Sequence, residues 1–246
     1  MTDVYGIQAV RAVLRDDPQR VRRMYVLRGR RDARMNELLN LAHQAGIRQQ
    51  AMEPQWFRRR LGEAVHQGVL LDCHEVQLAS LQELLWRWEG FGPDPLLLIL
   101  DGVTDPRNLG ACLRVASGAG VDAVILPKHH AAPLSGVALK TAQGAVEDLF
   151  VVEVTNLARA MQTLRERNVW FVGTAAEATQ DYTRARASGP LALVMGGEEK
   201  GMRRLTREHC DELVQIPMAG SVSSLNVSVA TAVVLYDMRR QRQRGG

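Results

Sequence analysis

The chain has 246 residues, 46% of them hydrophobic and 24% charged, a globular composition with enough material for one large or two modest cores. No apolar run approaches membrane-spanning length, and no apolar segment with a small-residue cleavage site opens the chain. Cys73, Cys112 and Cys210 are isolated, so a disulfide framework and a zinc site are both disfavoured, and a cytosolic chain with reduced thiols is expected.

The net charge of +4 hides an asymmetry: residues 1–60 carry 13 Arg and no Lys against 6 Asp and Glu, giving +7 there and −3 in the remainder. Arg20, Arg22, Arg23, Arg28, Arg30, Arg31 and Arg34 crowd one segment, and Arg58, Arg59 and Arg60 follow. A solvated basic face is the plain reading. Arginine forks onto phosphates, however, and an arginine-rich folded segment with few aromatics fits contact with an RNA backbone.

In chain order, the pattern predicts a helix near 5–15, a strand near 22–28 and a helix near 34–45. A strand near 47–52, a short helix after Pro54 and the strand 68–72 complete a small α/β unit over residues 1–75. Residues 76–95 read as a linker, with one or two amphipathic turns from Leu81 to Trp88 and then the breakers Glu-Gly-Phe-Gly-Pro-Asp-Pro. From 96 to 246 the pattern is regular. Apolar runs at 96–100, 121–126, 150–154, 169–172, 191–195 and 213–216 read as strands buried on both faces. Helices are expected at 156–168 and 203–209, and an apolar, buried helix at Val227–Tyr236 precedes the basic tail 239–244. Alternating βα units imply a mostly parallel sheet covered by helices.

Ligands of open α/β sheets lie beyond the carboxyl ends of the strands, and three such ends carry unusual loops. In "DGVTDPRNLGACLR" after residue 100, Asp105 and Pro106 form a helix cap and first turn. Leu109, Cys112, Leu113 and Ala116 share the buried face. Gly110, Arg114 and Ser117 share another, where small neighbours would let a partner approach Arg114, although an exposed surface arginine explains it equally. In "GGEEKGM" after residue 195, glycines permit close backbone approach or positive φ, and Glu198 and Glu199 are explained as acids near a helix start. In "IPMAGSVSSLNVSVA" a run of hydroxyls leads into the last helix, where one cap would suffice.

Taken together these loops resemble the three motifs of the SpoU branch of the SPOUT RNA methyltransferases, the TrmH-like ribose 2'-O-methyltransferases: 105–114 the first, 191–202 the second, 216–230 the third. Glu199 departs from the family pattern, which often has Gly there. The resemblance covers 96–238, and with "VYGIQAVRAVL" and "VHQGVLL" (65–71) extends to the forms with an L30e-like RNA-binding domain that act on large-subunit (23S) rRNA. It implies an α/β fold with a C-terminal trefoil knot, S-adenosylmethionine as cofactor, a homodimer, and no metal. Gly196, Ile216 and Leu225 would contact the cofactor, largely through backbone. Asn108, Arg114, Glu198, Ser224 and Asn226 would form the catalytic group.

Ribose methylation needs an aligned 2'-hydroxyl and a route for its proton. The motifs hold no His, and Asp101 and Asp105 have structural explanations. The family assigns the base role to the motif-one arginine, here Arg114. A guanidinium is ordinarily treated as permanently charged, so Arg114 as base and Arg114 as positioning cation both stay open. The expected reaction is methylation of a guanosine in the peptidyl-transferase P loop of 23S rRNA. A tRNA ribose methyltransferase and a non-catalytic RNA-binding assembly factor are the alternatives. The basic N-terminal unit argues against the first, and the intact motif residues against the second.

Overall fold

The computed structural model describes residues 2–16, 18–74, 78–134, 136–142, 145–146 and 149–245. They divide into two compact units, Met1–Gln77 and Leu78–Gly246.

The first unit runs β1 (Thr2–Tyr5), α1 (Ile7–Asp16), β2 (Val21–Leu27), α2 (Ala33–Gln44), β3 (Gln49–Met52), α3 (Pro54–Leu61) and β4 (Val69–Cys73). Its sheet has the order β1-β4-β2-β3, with β4 antiparallel to both neighbours and β2 parallel to β3. Strand alternation divides the core. Met24, Val26, Val69 and Leu71 pack with Val10, Met35 and Leu38 of α1 and α2, while Tyr25 and Leu70 face Phe57 of α3. Asp32 caps α2 by accepting from the Met35 amide.

The arginines of this unit fall into two groups. Arg60 forks onto both oxygens of Asp3 at 2.8 and 2.9 Å and lies over Trp56 and Tyr25, 5.4 and 5.6 Å from their ring centres. Arg11 and Arg15 share Glu37. By contrast, Arg22, Arg31, Arg34, Arg48, Arg58 and Arg59 are exposed, and their side chains make no ion pair or hydrogen bond among the described residues.

The second unit contains α4 (Leu81–Arg87), β5 (Leu96–Asp101), α5 (Pro106–Ala119), β6 (Ala123–Pro127), α6 (Gly136–Ala142), β7 (Phe150–Val154) and α7 (Leu157–Arg165). It continues through β8 (Trp170–Thr174), β9 (Gln180–Asp181), β10 (Leu191–Gly196), α8 (Arg204–Glu208), β11 (Glu212–Gln215) and α9 (Val227–Gly245). Seven strands pair in the order β7-β6-β5-β10-β8-β11-β9, all parallel. As expected from the uninterrupted apolar runs, both faces are covered. Leu96, Leu98 and Leu100 pack under α5 and α9, and Leu97 and Ile99 pack under α4 and α7. Each such side chain contributes roughly 1.5–3 kcal/mol on full burial.

Two expectations need correction. Described residues from 78 onward do not behave as a linker: Ala79 bridges to Val152, Ser80 and Glu83 close a capping box on α4, and Leu84 and Trp88 lie in the core. Their apolar spacing outweighs the breakers that follow. Residues 75–77 of the expected boundary lie outside the described residues. Helix α9, expected to be buried, buries Val227, Val234, Leu235 and Met238 but leaves Val229 and Tyr236 about half exposed. It also continues through the basic tail, where Arg239 holds the Ala119 carbonyl at the end of α5, and Arg242 holds the carbonyls of Ala187 and Gly189.

Candidate active site

Chain order along the sheet reverses at β5: β6 lies on one side of it and β10 on the other. The loops leaving β5 and β10 therefore meet, as binding loops do at a switch point. Their approach is close. A Cβ on Gly197 would stand 2.2 Å from the Gly102 carbonyl oxygen, and one on Gly196 would stand 2.2 Å from backbone atoms of Gly201 and Met202. Only glycine fits at either position. Gly201, at φ 62°, supplies the left-handed residue of this turn, so Glu199 occupies a conformation open to any side chain. Beneath the turn the buried Asp101 carboxylate accepts from the Arg203 amide at 2.8 Å and from its Nε at 2.6 Å, tying the end of β5 to the start of α8. Asp105 caps α5 through the Arg107 amide. Both aspartates thus have structural work, as the sequence suggested.

At this junction three residues far apart in the chain join. Asn108 donates from Nδ2 to Glu198 Oε2 at 2.8 Å. Asn226 donates from Nδ2 to Glu198 Oε1 at 2.6 Å and to Asn108 Oδ1 at 3.0 Å. The carboxylate is held by two side-chain amide donors, one on each oxygen, with the Val227 N–H donating to Oε1 at 3.5 Å as well. Asn226 does more: its Oδ1 accepts from the Ser228 amide at 3.0 Å and from the Ser228 hydroxyl at 2.6 Å, closing the first turn of α9. The cap is therefore Asn226, and not one of the preceding serines.

Beside this cluster lies a cavity of about 360 Å³, lined by Gly196, Glu198, Ile216, Ser224 and Leu225 with Thr174 and Met195 among its other walls. Its volume suits a cofactor-sized ligand. All three residues expected to touch a cofactor face it, as do Glu198 and Ser224. The structure does not bring Arg114 into the cluster. It is exposed on α5, six residues beyond Asn108 and about 9 Å along the helix axis. Gly110, expected to open this face to a partner, instead receives α6: a Cβ there would stand 2.3 Å from the Ala138 carbonyl oxygen.

Behind the site, Cys112 contacts the Thr231 hydroxyl at 3.7 Å, and burial pushes its thiol up to about 11. It stays protonated near neutrality and is a packing group. Among the described residues no group of three His, Cys, Asp or Glu is placed to hold a metal ion, and no helix is long and apolar enough to cross a membrane.

Gly102 and His130 had no role in the reading of the sequence, whereas the close approach at Gly197 was expected from the glycines of its loop. His130 follows β6 at φ 59°, a left-handed conformation uncommon outside glycine. The available signal was its position: a loop leaving the carboxyl end of the strand next to β5.

A seven-stranded parallel α/β sheet with a cavity at the carboxyl ends of β8, β10 and β11, walled by the second and third of these loops, is the frame of an RNA methylase. The chain belongs to the SpoU rRNA Methylase family, whose sequence profile matches residues 95–236. A second profile, RNA 2'-O ribose methyltransferase substrate binding, matches residues 4–79. The chain is 52% identical over 239 residues to the 23S rRNA (guanosine-2'-O-)-methyltransferase RlmB of Pectobacterium atrosepticum, covering 97% of this chain and 98% of that one. It is 51% identical to the RlmB of Yersinia pestis over 242 residues, covering 97% of each. The structure of the SpoU methyltransferase AviRb from Streptomyces viridochromogenes in complex with the cofactor AdoMet superposes with a TM-score of 0.72 at 26% identity, covering 98% of this chain and 90% of that one.

Proposed function

We propose that this chain transfers a methyl group from S-adenosylmethionine to the ribose 2'-hydroxyl of a guanosine in 23S rRNA, within the P loop of the peptidyl-transferase region. The observation that carries the reading is the Asn108–Glu198–Asn226 cluster at the rim of the 360 Å³ cavity. It is supported by relatives of that activity that match the chain over nearly its whole length, both units included.

Gly196, Ile216 and Leu225 would hold the cofactor, since all three line this cavity. When bound, S-adenosylmethionine supplies an electrophilic methyl carbon on a positively charged sulfur. The residues of this chain have two tasks: to hold the 2'-hydroxyl in line, and to take up its proton. Glu198, with both oxygens committed to amide donors, acts as a fixed anchor and not as a base. Ser224 lines the cavity with a hydroxyl that makes no hydrogen bond among the described residues, and is placed to meet the ribose. Arg114 serves as the proton acceptor or as the cation that orients the target phosphate and stabilises the forming alkoxide.

The first unit would supply RNA affinity through its six uncommitted arginines. The half-exposed Val229 and Tyr236 of α9 fit a homodimer built by the second unit, and an rRNA substrate supports a cytoplasmic enzyme. The family's trefoil knot belongs to the same reading. The test is transfer of labelled methyl groups to unmodified 23S rRNA, with the modified nucleotide mapped. A single 2'-O-methylguanosine in the P loop is expected, and absence of transfer, or transfer to tRNA alone, would refute the reading.

A further inference from the structure

Asp101 ends β5, and it is fully buried. A buried carboxylate is a costly way to fill space, because its charge loses water and an apolar side chain of similar volume packs as well. Its position shows what the charge is for. Asp101 holds both feet of the turn that carries Glu198. At the near foot its carbonyl accepts from the Gly197 amide at 2.9 Å. At the far foot one carboxylate oxygen accepts from the Arg203 amide at 2.8 Å and the other from Arg203 Nε at 2.6 Å. Between the feet the Gly201 amide donates to the Gly197 carbonyl at 2.9 Å. Glu198, Glu199 and Lys200 on the crest are exposed, and the side chains of Glu199 and Lys200 make no hydrogen bond or ion pair among the described residues.

We infer that Asp101 is a positioning residue for methyl transfer: its grip on the turn sets the place of the Glu198 carboxylate, and that carboxylate sets the places of Asn108 and Asn226. The inference rests on the methyltransferase reading and deepens it.

Glu198 Oε2 accepts from Asn108 and Oε1 from Asn226, residues that arrive on two other loops. A shift of the turn carries the carboxylate away from both donors at once. The turn has little stiffness of its own, since it begins with Gly197 and ends with Gly201, and glycine gives a backbone its widest range. Its order has to come from beneath, and directional hydrogen bonds to a buried charge fix a register that apolar contact leaves loose. A misplacement of about 1 Å costs on the order of a hundredfold in rate where reacting atoms must be aligned. Neither Asp101 nor Arg203 lines the cavity beside the cluster, so the pair acts on the site through the turn alone.

The experiment is a double-mutant cycle on the full chain: wild type, Asp101→Asn, Glu198→Gln and the two changes together. Methyl transfer to unmodified 23S rRNA is followed in single turnovers at saturating cofactor, over a range of RNA concentrations. Asp101→Asn keeps the shape of the side chain but turns an NH2 towards one of two donors, so one bond is lost. Its transfer rate should fall at least tenfold, with the half-saturating RNA concentration within twofold of wild type. In the Glu198→Gln background the same change should lower the rate less than threefold, because the carboxylate it positions is already gone. Equal fold losses in both backgrounds would make Asp101 a purely structural residue and overturn the inference. So would an Asp101→Asn rate within twofold of wild type. Urea denaturation reports folding, and if Asp101→Asn does not fold, Arg203→Ala replaces it in the cycle, since Arg203 is 47% exposed and keeps its backbone amide. Arg203→Lys, which still offers Asp101 a cation, should keep the rate within threefold of wild type where Arg203→Ala loses tenfold. Should Glu198→Gln transfer too slowly to follow, that pair decides, and a Lys variant as slow as Ala would overturn the inference. A wild-type chain that transfers no methyl group to rRNA would instead remove the reading beneath it.

Discussion

Three glycines in each unit show two kinds of work. In the first, Gly29, Gly46 and Gly62 take φ of 82°, 69° and 60°, and a Cβ added to any of them would meet nothing within 4 Å. They are there for a backbone conformation, in open space. In the second, Gly110, Gly196 and Gly197 have backbone atoms 2.2–2.3 Å from where a Cβ would stand. They are there for contact. The arginines follow the same division: six hang uncommitted from the first unit, whereas Arg203, Arg239 and Arg242 lock carboxylate and carbonyl groups of the second. One unit presents an adaptable charged surface. The other is built around close approach, as a site that must align reacting atoms requires.

The sharpest way to break this comparison is Arg114, an exposed arginine in the rigid unit. Arg114→Ala should cost little stability, because the side chain makes no ion pair or hydrogen bond among the described residues. It should leave cofactor affinity near normal, since Arg114 does not line the cavity beside the cluster, and reduce turnover by about a hundredfold or more, in the range of lost acid–base or electrostatic groups. Arg114→Lys separates the roles: partial activity with a pH–rate profile moved to lower pH favours the base, and a variant as inactive as Ala favours positioning. Near-normal turnover of Arg114→Ala would defeat both.

A smaller effect contrasts the glycines directly. Gly197→Ala should destabilise the second unit by roughly 2–5 kcal/mol, since backbone and not a flexible side chain stands in the way. Gly29→Ala should cost only about 1–2 kcal/mol, the penalty of a left-handed alanine. Urea denaturation of the two variants ranks them, and equal losses would erase the distinction.

The smallest effect belongs to the charged surface. Replacing Arg58 and Arg59 together by Gln should weaken RNA binding without changing the cofactor affinity. It should lower the slope of log affinity against log salt by about 2 if both meet phosphates. Filter binding at several salt concentrations measures it, and an unchanged slope would move the RNA contact elsewhere.

What the sequence made legible follows from burial. Runs such as Leu96–Leu100 and Leu191–Met195 are apolar at every position because helices cover both faces, so no partner needed to be known. Strand β1, only four residues with Thr2 and Asp3 among them, carries no such signature and depends on pairing with β4. Helix α6 carries little signal of its own, with Gly136 and small neighbours, and packs on Gly110. In the site, the cap by Asp105 was readable locally. The meeting of Asn108, Glu198 and Asn226 was not, since 90 and 28 residues separate the pairs and only the family likeness named them together.

One carboxamide closes both the first turn of α9 and the site. The oxygen of Asn226 secures the helix start and its nitrogen secures Asn108 and Glu198. Fraying of that turn and dispersal of the cluster are consequently one cooperative event, and the lifetime of the assembled site is set by a helix end, the place where local opening costs least. Aspartate or serine would cap the helix as well as asparagine does. Neither carries the amide hydrogens, so with either in its place the helix would persist and the cluster would come apart.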